Sequence, residues 1–95
     1  MANTIQEVVD NITIYDSGED STIDRISVIL NNYHRKSTVA GETVTLHECL
    51  STDMYGGTAF SQFCEAQAGE HLGKIVEFES LPKVVQNHII ERLAR

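Results

Sequence analysis

His47 and Cys49 stand two positions apart in a segment of alternating polarity, and Cys64 and His71 follow in the next stretch of chain. Two thiols and two imidazoles make a donor set suited to tetrahedral zinc. A thiol beside an imidazole is also a nucleophile beside its base. The spacing, however, matches no compact zinc pattern such as paired C-x-x-C, and no oxyanion stabiliser or orienting group is identifiable near the pair. A small metalloprotein or enzyme built on His47, Cys49, Cys64 and His71 is therefore the alternative reading. In the leading reading these are small buried thiols and partly buried imidazoles, and no cofactor is expected.

Other reactive side chains are equally unsupported by their context. Gly56-Gly57 does not open a phosphate-binding loop, because no G-x-x-x-x-G-K-[ST] pattern occurs. Ser61 lacks the glycine elbow of the hydrolases. His88 falls on the apolar stripe of a terminal helix, the place of a core or boundary histidine. Asp24 and Arg25 are adjacent in an extended segment, so their side chains leave opposite faces and form no clamp. Arg25 is expected to pair with an acid across a sheet or to cover apolar surface with its stem.

Charge is more informative. The formal net charge is −7, and it is unevenly placed. Glu7, Asp10, Asp16, Glu19, Asp20 and Asp24 precede the first base, Arg25. A second base-free run from Ser37 to Gly73 holds Glu42, Glu48, Asp53, Glu65 and Glu70. Such a surface repels nucleic-acid phosphate, so direct DNA or RNA binding is not expected. The same field attracts a basic surface on a partner protein. Tyr33, His34, Arg35 and Lys36 form a basic-aromatic cluster with the composition of an interface anchor.

These residues are positioned by a small set of expected elements. Ninety-five residues suffice for one domain, residues 1–95, with a single modest core. No apolar run approaches the ~18 residues of a spanning helix, and the first residues lack a secretory pattern. Membrane association is not expected, reduced thiols are, and the expected location is the cytoplasm. Ile12 and Ile14 alternate with Thr13 and Tyr15 as a half-buried strand; Thr4 to Val9 fits either an extension of it or one helical turn. Thr22 to Leu30 carries apolar side chains on both faces, as a central strand does. Asn31 to Glu42 reads as a long polar hairpin loop, and Thr43 to Leu50 as the third strand. After the loop Ser51 to Thr58, Ala59 to Gln67 reads as two helical turns placing Phe60, Phe63 and Cys64 together.

Lys74 to Glu79 reads as a last strand. A final helix follows, with Leu81, Val84, Val85, His88, Ile89 and Leu93 on one stripe and Ser80 as its cap. Pro82 is tolerated in its first turn. The expected fold class is α+β. A small antiparallel sheet of three to four strands is packed by a C-terminal amphipathic helix, with a short helix before the last strand.

Tyr15 to Gly18 with Thr22 to Val28, Leu50-Ser51 with Phe60 to Phe63, and His71 to Gln86 resemble, in that order, segments of a family of small uncharacterised proteins found in phages and on bacterial chromosomes and mobile elements. Tyr15-Asp16-Ser17-Gly18 followed by Thr22-Ile-Asp24-Arg25-Ile-Ser-Val28 is similar to its tyrosine–glycine turn and T-x-D-R-Y-T-V strand. Leu50-Ser51 and Phe60-Ser-Gln62-Phe63 resemble its central stretch. His71-Leu-Gly-Lys74, Phe78-Glu-Ser-Leu81-Pro82 and Val85-Gln86 resemble its H-L-G-K, F-x-x-L-P and V-Q ending. The chain departs from that pattern in lacking prolines at Asp53 to Gly57 and in its long 31–42 segment.

The resemblance implies a phage or prophage origin and a compact α+β fold, and it implies no reaction. Joined to the charge pattern, it leads to the expectation of a non-enzymatic protein that binds a host protein in the bacterial cytoplasm. The sharper form is an anti-defence inhibitor, such as one whose acids fill the basic nucleic-acid channel of a CRISPR-type effector. Asp10, Asp16, Glu19 and Asp20 are the acids expected to make that contact, with Tyr33, Arg35 and Lys36 beside them. A homodimer paired through an exposed strand edge is the third reading.

Overall fold

The computed structural model describes residues 4–19, 25–56 and 61–94. In chain order its elements are α1 (Ile5–Asp10), β1 (Ile12–Asp16), β2 (Ile26–Val39), β3 (Glu42–Thr52), β4 (Gln62–Ala66), β5 (Lys74–Val76) and α2 (Lys83–Leu93). The strands form one antiparallel sheet in the order β4-β3-β2-β1-β5. The fold is thus α+β, with an antiparallel sheet and a C-terminal helix, and among the described residues the sheet has five strands rather than three or four.

Alternation divides the apolar residues between two faces. Ile14, Ile26, Val28 and Leu50 meet Phe78, Leu81, Val85 and Ile89 in the main core, with Val9, Ile12, Phe63, Val76 and Leu93 at its margin. On the other face Tyr15, Ile29 and Cys49 form a smaller cluster against which Ala66 of β4 and Leu72 pack. Leu72 belongs to the segment 67–73, which links one edge of the sheet to the other and includes a 3-10 turn at Glu70–Leu72. Because β2 is sandwiched between both coverings, Ile26, Ser27, Val28 and Ile29 are all buried. The two-faced apolar pattern of this segment does mark the central strand.

Four elements depart from the expectation. First, the strand pairing of β2 begins at Ile26, and residues 20–24 lie outside the described residues. Second, Asn31 to Glu42 is not a loop: β2 runs on to Val39 and only Ala40 and Gly41 turn. Their φ values, 51° and 84°, are both positive, as a two-residue type I′ hairpin requires. Third, Gln62–Ala66 is an edge strand and not part of a helix; residues 57–60 are not described. Fourth, β5 ends at Val76, and a 3-10 turn at Phe78–Ser80 leads into α2.

The helices are set by local chemistry. Thr4 caps α1 by accepting from the Glu7 amide at 3.1 Å and donating its hydroxyl to Glu7 Oε1 at 3.1 Å. Ser80 does not cap α2, since its hydroxyl donates to the Glu77 carbonyl at 2.6 Å; Pro82 occupies the cap position. Val85, His88 and Ile89 are the buried face of α2, whereas Val84 is 52% exposed and does not belong to the buried stripe. No helix among the described residues is long and apolar enough to cross a membrane.

Candidate functional site

The β2–β3 ribbon outruns its neighbours. β1 pairs with β2 only from Ile26 to Leu30, and β4 pairs with β3 only from His47 to Ser51. From Arg35 to Val39 and Glu42 to Leu46 the ribbon is a two-stranded arm. At its root the register shifts between Ile29, opposite Cys49, and His34, opposite His47. Five steps along β2 are matched by two along β3, so the intervening residues bulge outward.

Asparagines hold the bulge. The Asn31 amide donates to the Asn11 carbonyl at 2.9 Å, and its side-chain oxygen accepts from Thr13 at 3.0 Å. Asn32 Nδ2 donates to Asn11 Oδ1 at 2.7 Å. One backbone and two side-chain hydrogen bonds thereby anchor the bulged segment to α1 and β1. The next residue, Tyr33, is turned out and is 60% exposed.

A cleft of ≈ 560 Å³ opens beneath this bulge, on the helix-bearing side. Ile12, Leu30, Phe63 and Leu93 supply its apolar lining, while Glu7 from α1 and Glu48 from β3 bring carboxylates, and Tyr33 closes one side. Arg92 contributes its guanidinium, which lies 5.0 Å from the centroid of the Phe63 ring, a stacking distance that favours cation–π attraction. A shallower cleft of ≈ 730 Å³ shares Asn32, Tyr33, Glu48 and Phe63 and continues along the arm past Arg35 and Leu46. Together they make a groove from α1 to the arm. Among the described residues, the two ion pairs are Asp16–Arg25 and Glu65–Arg35, so neither Glu7 nor Glu48 is neutralised by one.

The expected contact residues divide. Tyr33 lines the groove and Arg35 lines its arm end, where it forms a bidentate pair with Glu65 at 2.5 and 2.8 Å. That guanidinium holds the Glu65 carboxyl below its usual range. Lys36 lies further along the arm and donates to Thr45 Oγ1 at 2.6 Å. The basic-aromatic cluster is therefore at the root of an arm and not at a loop tip. Asp16 is committed elsewhere: Arg25 Nε and Nη2 donate to its two oxygens at 2.7 and 3.0 Å. This pair lowers the Asp16 pKa, against the opposing effect of burial. Asp10 is exposed at the end of α1 and accepts from Gln6. Glu19 is exposed, and Asp20 lies outside the described residues.

The thiol and imidazole group is only partly assembled. Cys49 and Cys64 face each other across β3 and β4, and His47 pairs with His34, their rings 5.4 Å apart and edge-on. His71 sits in the 3-10 turn beyond β4. Among the described residues no three His, Cys, Asp or Glu side chains form a cluster able to hold a metal ion.

Ser61 and His88 form a contact that neither residue's sequence context announces. Ser61 Oγ lies 2.6 Å from His88 Nε2 and donates to Thr52 Oγ1 at 2.7 Å. With the hydroxyl proton directed to Thr52, the imidazole is left as donor to Ser61, the reverse of a base drawing a proton from a nucleophile. The contact satisfies the buried Thr52 hydroxyl and ties β3 to α2. Burial and Arg92 hold the His88 pKa below its usual value, despite the opposing influence of Glu91 and Asp53.

The residues missing from the sequence reading are Glu7, Glu48, Phe63 and Arg92 as members of one groove. Glu48 carried a usable signal, since it interrupts the series Val44, Leu46, Leu50 on one side of β3. A charge on an otherwise apolar strand face marks a place where that face reaches solvent. No family model matches the chain, and no curated protein or solved structure matches it.

Proposed function

We propose that the protein is a non-enzymatic interaction module of phage or mobile-element type, acting in the bacterial cytoplasm by binding a basic segment of a host protein. The observation that carries this reading is the groove itself: an apolar lining, an exposed tyrosine and two carboxylates, Glu7 and Glu48, that take part in neither ion pair found among the described residues. Apolar and acidic surfaces side by side suit a Lys or Arg side chain, whose stem packs while its head is neutralised. The binding acids of this reading are thus Glu7 and Glu48, with Asp10 and Glu19 contributing to the long-range field and Asp16 serving structure.

A host nucleic-acid-binding defence effector presents basic surfaces of this kind, and blocking one is the anti-defence form of the proposal. That step is analogy by class. The net charge of −7 favours such encounters and makes them sensitive to salt.

The test is capture from bacterial lysate on immobilised protein, comparing wild type with the Glu7→Gln/Glu48→Gln double variant. A single host protein held by wild type at about 0.1 M salt, shed by about 0.5 M salt, and lost by the double variant is expected. Equal retention by both, or retention indifferent to salt, sinks the proposal.

A further inference from the structure

Cys49 and Cys64 occupy directly opposed positions on neighbouring antiparallel strands. Such pairs place their Cα atoms about 4.5 to 5.5 Å apart, inside the roughly 4.4 to 6.8 Å window a disulfide needs. The side chains also converge. Ser51 Oγ lies 3.6 Å from Cys64 Sγ and 4.0 Å from Cys49 Sγ, so one hydroxyl touches both sulfurs. Both thiols are free, and they differ in access: Cys64 is exposed on the edge strand, while Cys49 is 1% exposed beneath it.

We infer that the two cysteines form a thiol–disulfide exchange site, in which Cys64 takes a mixed disulfide from a low-molecular-weight disulfide and Cys49 resolves it into a cross-strand bridge. In the first step the Cys64 thiolate attacks one sulfur of the reagent. The Cys64 Sγ–S bond forms, the reagent S–S bond breaks, and the departing thiolate takes a proton from water. In the second step Cys49 gives its proton to solvent and attacks Cys64 Sγ. The mixed disulfide breaks and a second small thiol leaves. Two protein thiols are oxidised and one reagent disulfide is reduced to two thiols, so electrons and atoms balance.

Access fixes the order, because only Cys64 can meet the reagent. Burial pushes the Cys49 thiol up to about 12, with the neighbouring Cys64 adding to the shift. A thiol that gives up its proton reluctantly is slow to attack, so the one-reagent adduct precedes the bridge. The bridge closes the segment Leu50 to Phe63 and fastens β4, the edge strand that pairs with β3. Since β4 supplies Phe63 and Glu65 to the groove, the bridge fixes one wall of it. The inference does not depend on what the groove binds.

The experiment uses the full chain with oxidised glutathione, followed by intact mass under non-reducing conditions and by labelling of remaining thiols. Expected is a one-glutathione adduct that converts to an unadducted monomer lacking two hydrogens and any reactive thiol. It should melt higher than the reduced protein. The Cys64→Ser variant, altered at an exposed position, should gain neither adduct nor bridge. The Cys49→Ala variant should hold its adduct indefinitely, and if it fails to fold, the Cys64→Ser result and the wild-type time course decide alone. A wild-type adduct that never resolves, a disulfide-linked dimer as main product, or adducts forming in Cys64→Ser would each overturn the inference.

Discussion

Ser61 Oγ and His88 Nε2 meet at 2.6 Å, joining the strand side of the fold to α2 through the hydroxyl of Thr52. His88 is 5% exposed, and its imidazole is held neutral chiefly by burial and by Arg92. A base with a depressed folded pKa takes up its proton more readily when unfolded. Its contribution to stability is therefore complete above the unfolded value, about 6.5, and is lost as pH falls through the folded one. Melting temperature should hold near pH 7 and drop toward pH 5. In the His88→Gln variant, which keeps an N–H to offer Ser61, the drop over that interval should be shallower. Parallel pH profiles for the two proteins would remove the assignment.

The turn at Ala40–Gly41 carries a second expectation. Ala40 is the one described non-glycine residue with positive φ, 51°, a conformation that costs an L residue roughly 1 to 2 kcal/mol. Asn tolerates it better, and Asn-Gly is a favoured type I′ pair. Ala40→Asn should stabilise the arm by about 1 kcal/mol. The arm can open without global unfolding, so the gain belongs in amide exchange, as several-fold slower exchange from His34 to Val39. Unchanged protection there would contradict the turn assignment.

This arm also shows why part of the fold was hidden in the sequence. A strand is legible when one face is buried and its residues alternate. Beyond Leu30 the ribbon loses β1 and β4, both faces approach solvent, and Asn31 to Lys36 are uniformly exposed. Polarity then mimics a loop. The opposite error arose at β4, where Phe60, Phe63 and Cys64 fall by chance at helical spacing, while strand alternation is weak because an edge strand is mostly exposed. The first half of β2 and the stripe of α2 were legible because Ile26 to Ile29, and Val85, His88 and Ile89, are buried at the expected spacings. Thr4-x-x-Glu7 was an unused signal: it is the pattern of a capping box, and Thr4 does cap α1. The groove was not legible, because it joins residues from α1, β3, β4 and α2 that only the bulge at Asn31–Tyr33 brings under one roof.

Gly73 offers a sharper test of the β1–β5 edge. Its φ is 117°, and a Cβ there would lie 2.2 Å from the Asp16 carbonyl oxygen. Backbone cannot swing aside as a flexible side chain can. Gly73→Ala should cost upward of about 3 kcal/mol, combining steric overlap with strain, and chemical denaturation would measure it. A loss below about 1 kcal/mol would mean that the crossing segment does not approach β1 as described.

The two arginine–carboxylate pairs form a controlled comparison, since both are bidentate and differ in burial. Side chains of Arg25 and Asp16 are 20% and 12% exposed, those of Arg35 and Glu65 57% and 47%. Exposed pairs gain little because water screens both partners and the long side chains lose freedom in meeting. A better shielded pair, once broken, leaves a charge with fewer waters around it and no partner. Asp16→Asn should therefore lower the melting temperature by several degrees, whereas Glu65→Gln should leave it nearly unchanged. The linkage runs the same way. Asp16 titrates below its ordinary range because Arg25 bonds its charged form, so its contribution is present above the unfolded value, about 3.9, and is lost as pH falls through the folded one. The melting difference between wild type and Asp16→Asn should accordingly shrink in strong acid. Equal melting losses for Asp16→Asn and Glu65→Gln at neutral pH would show that burial is not what separates the two pairs.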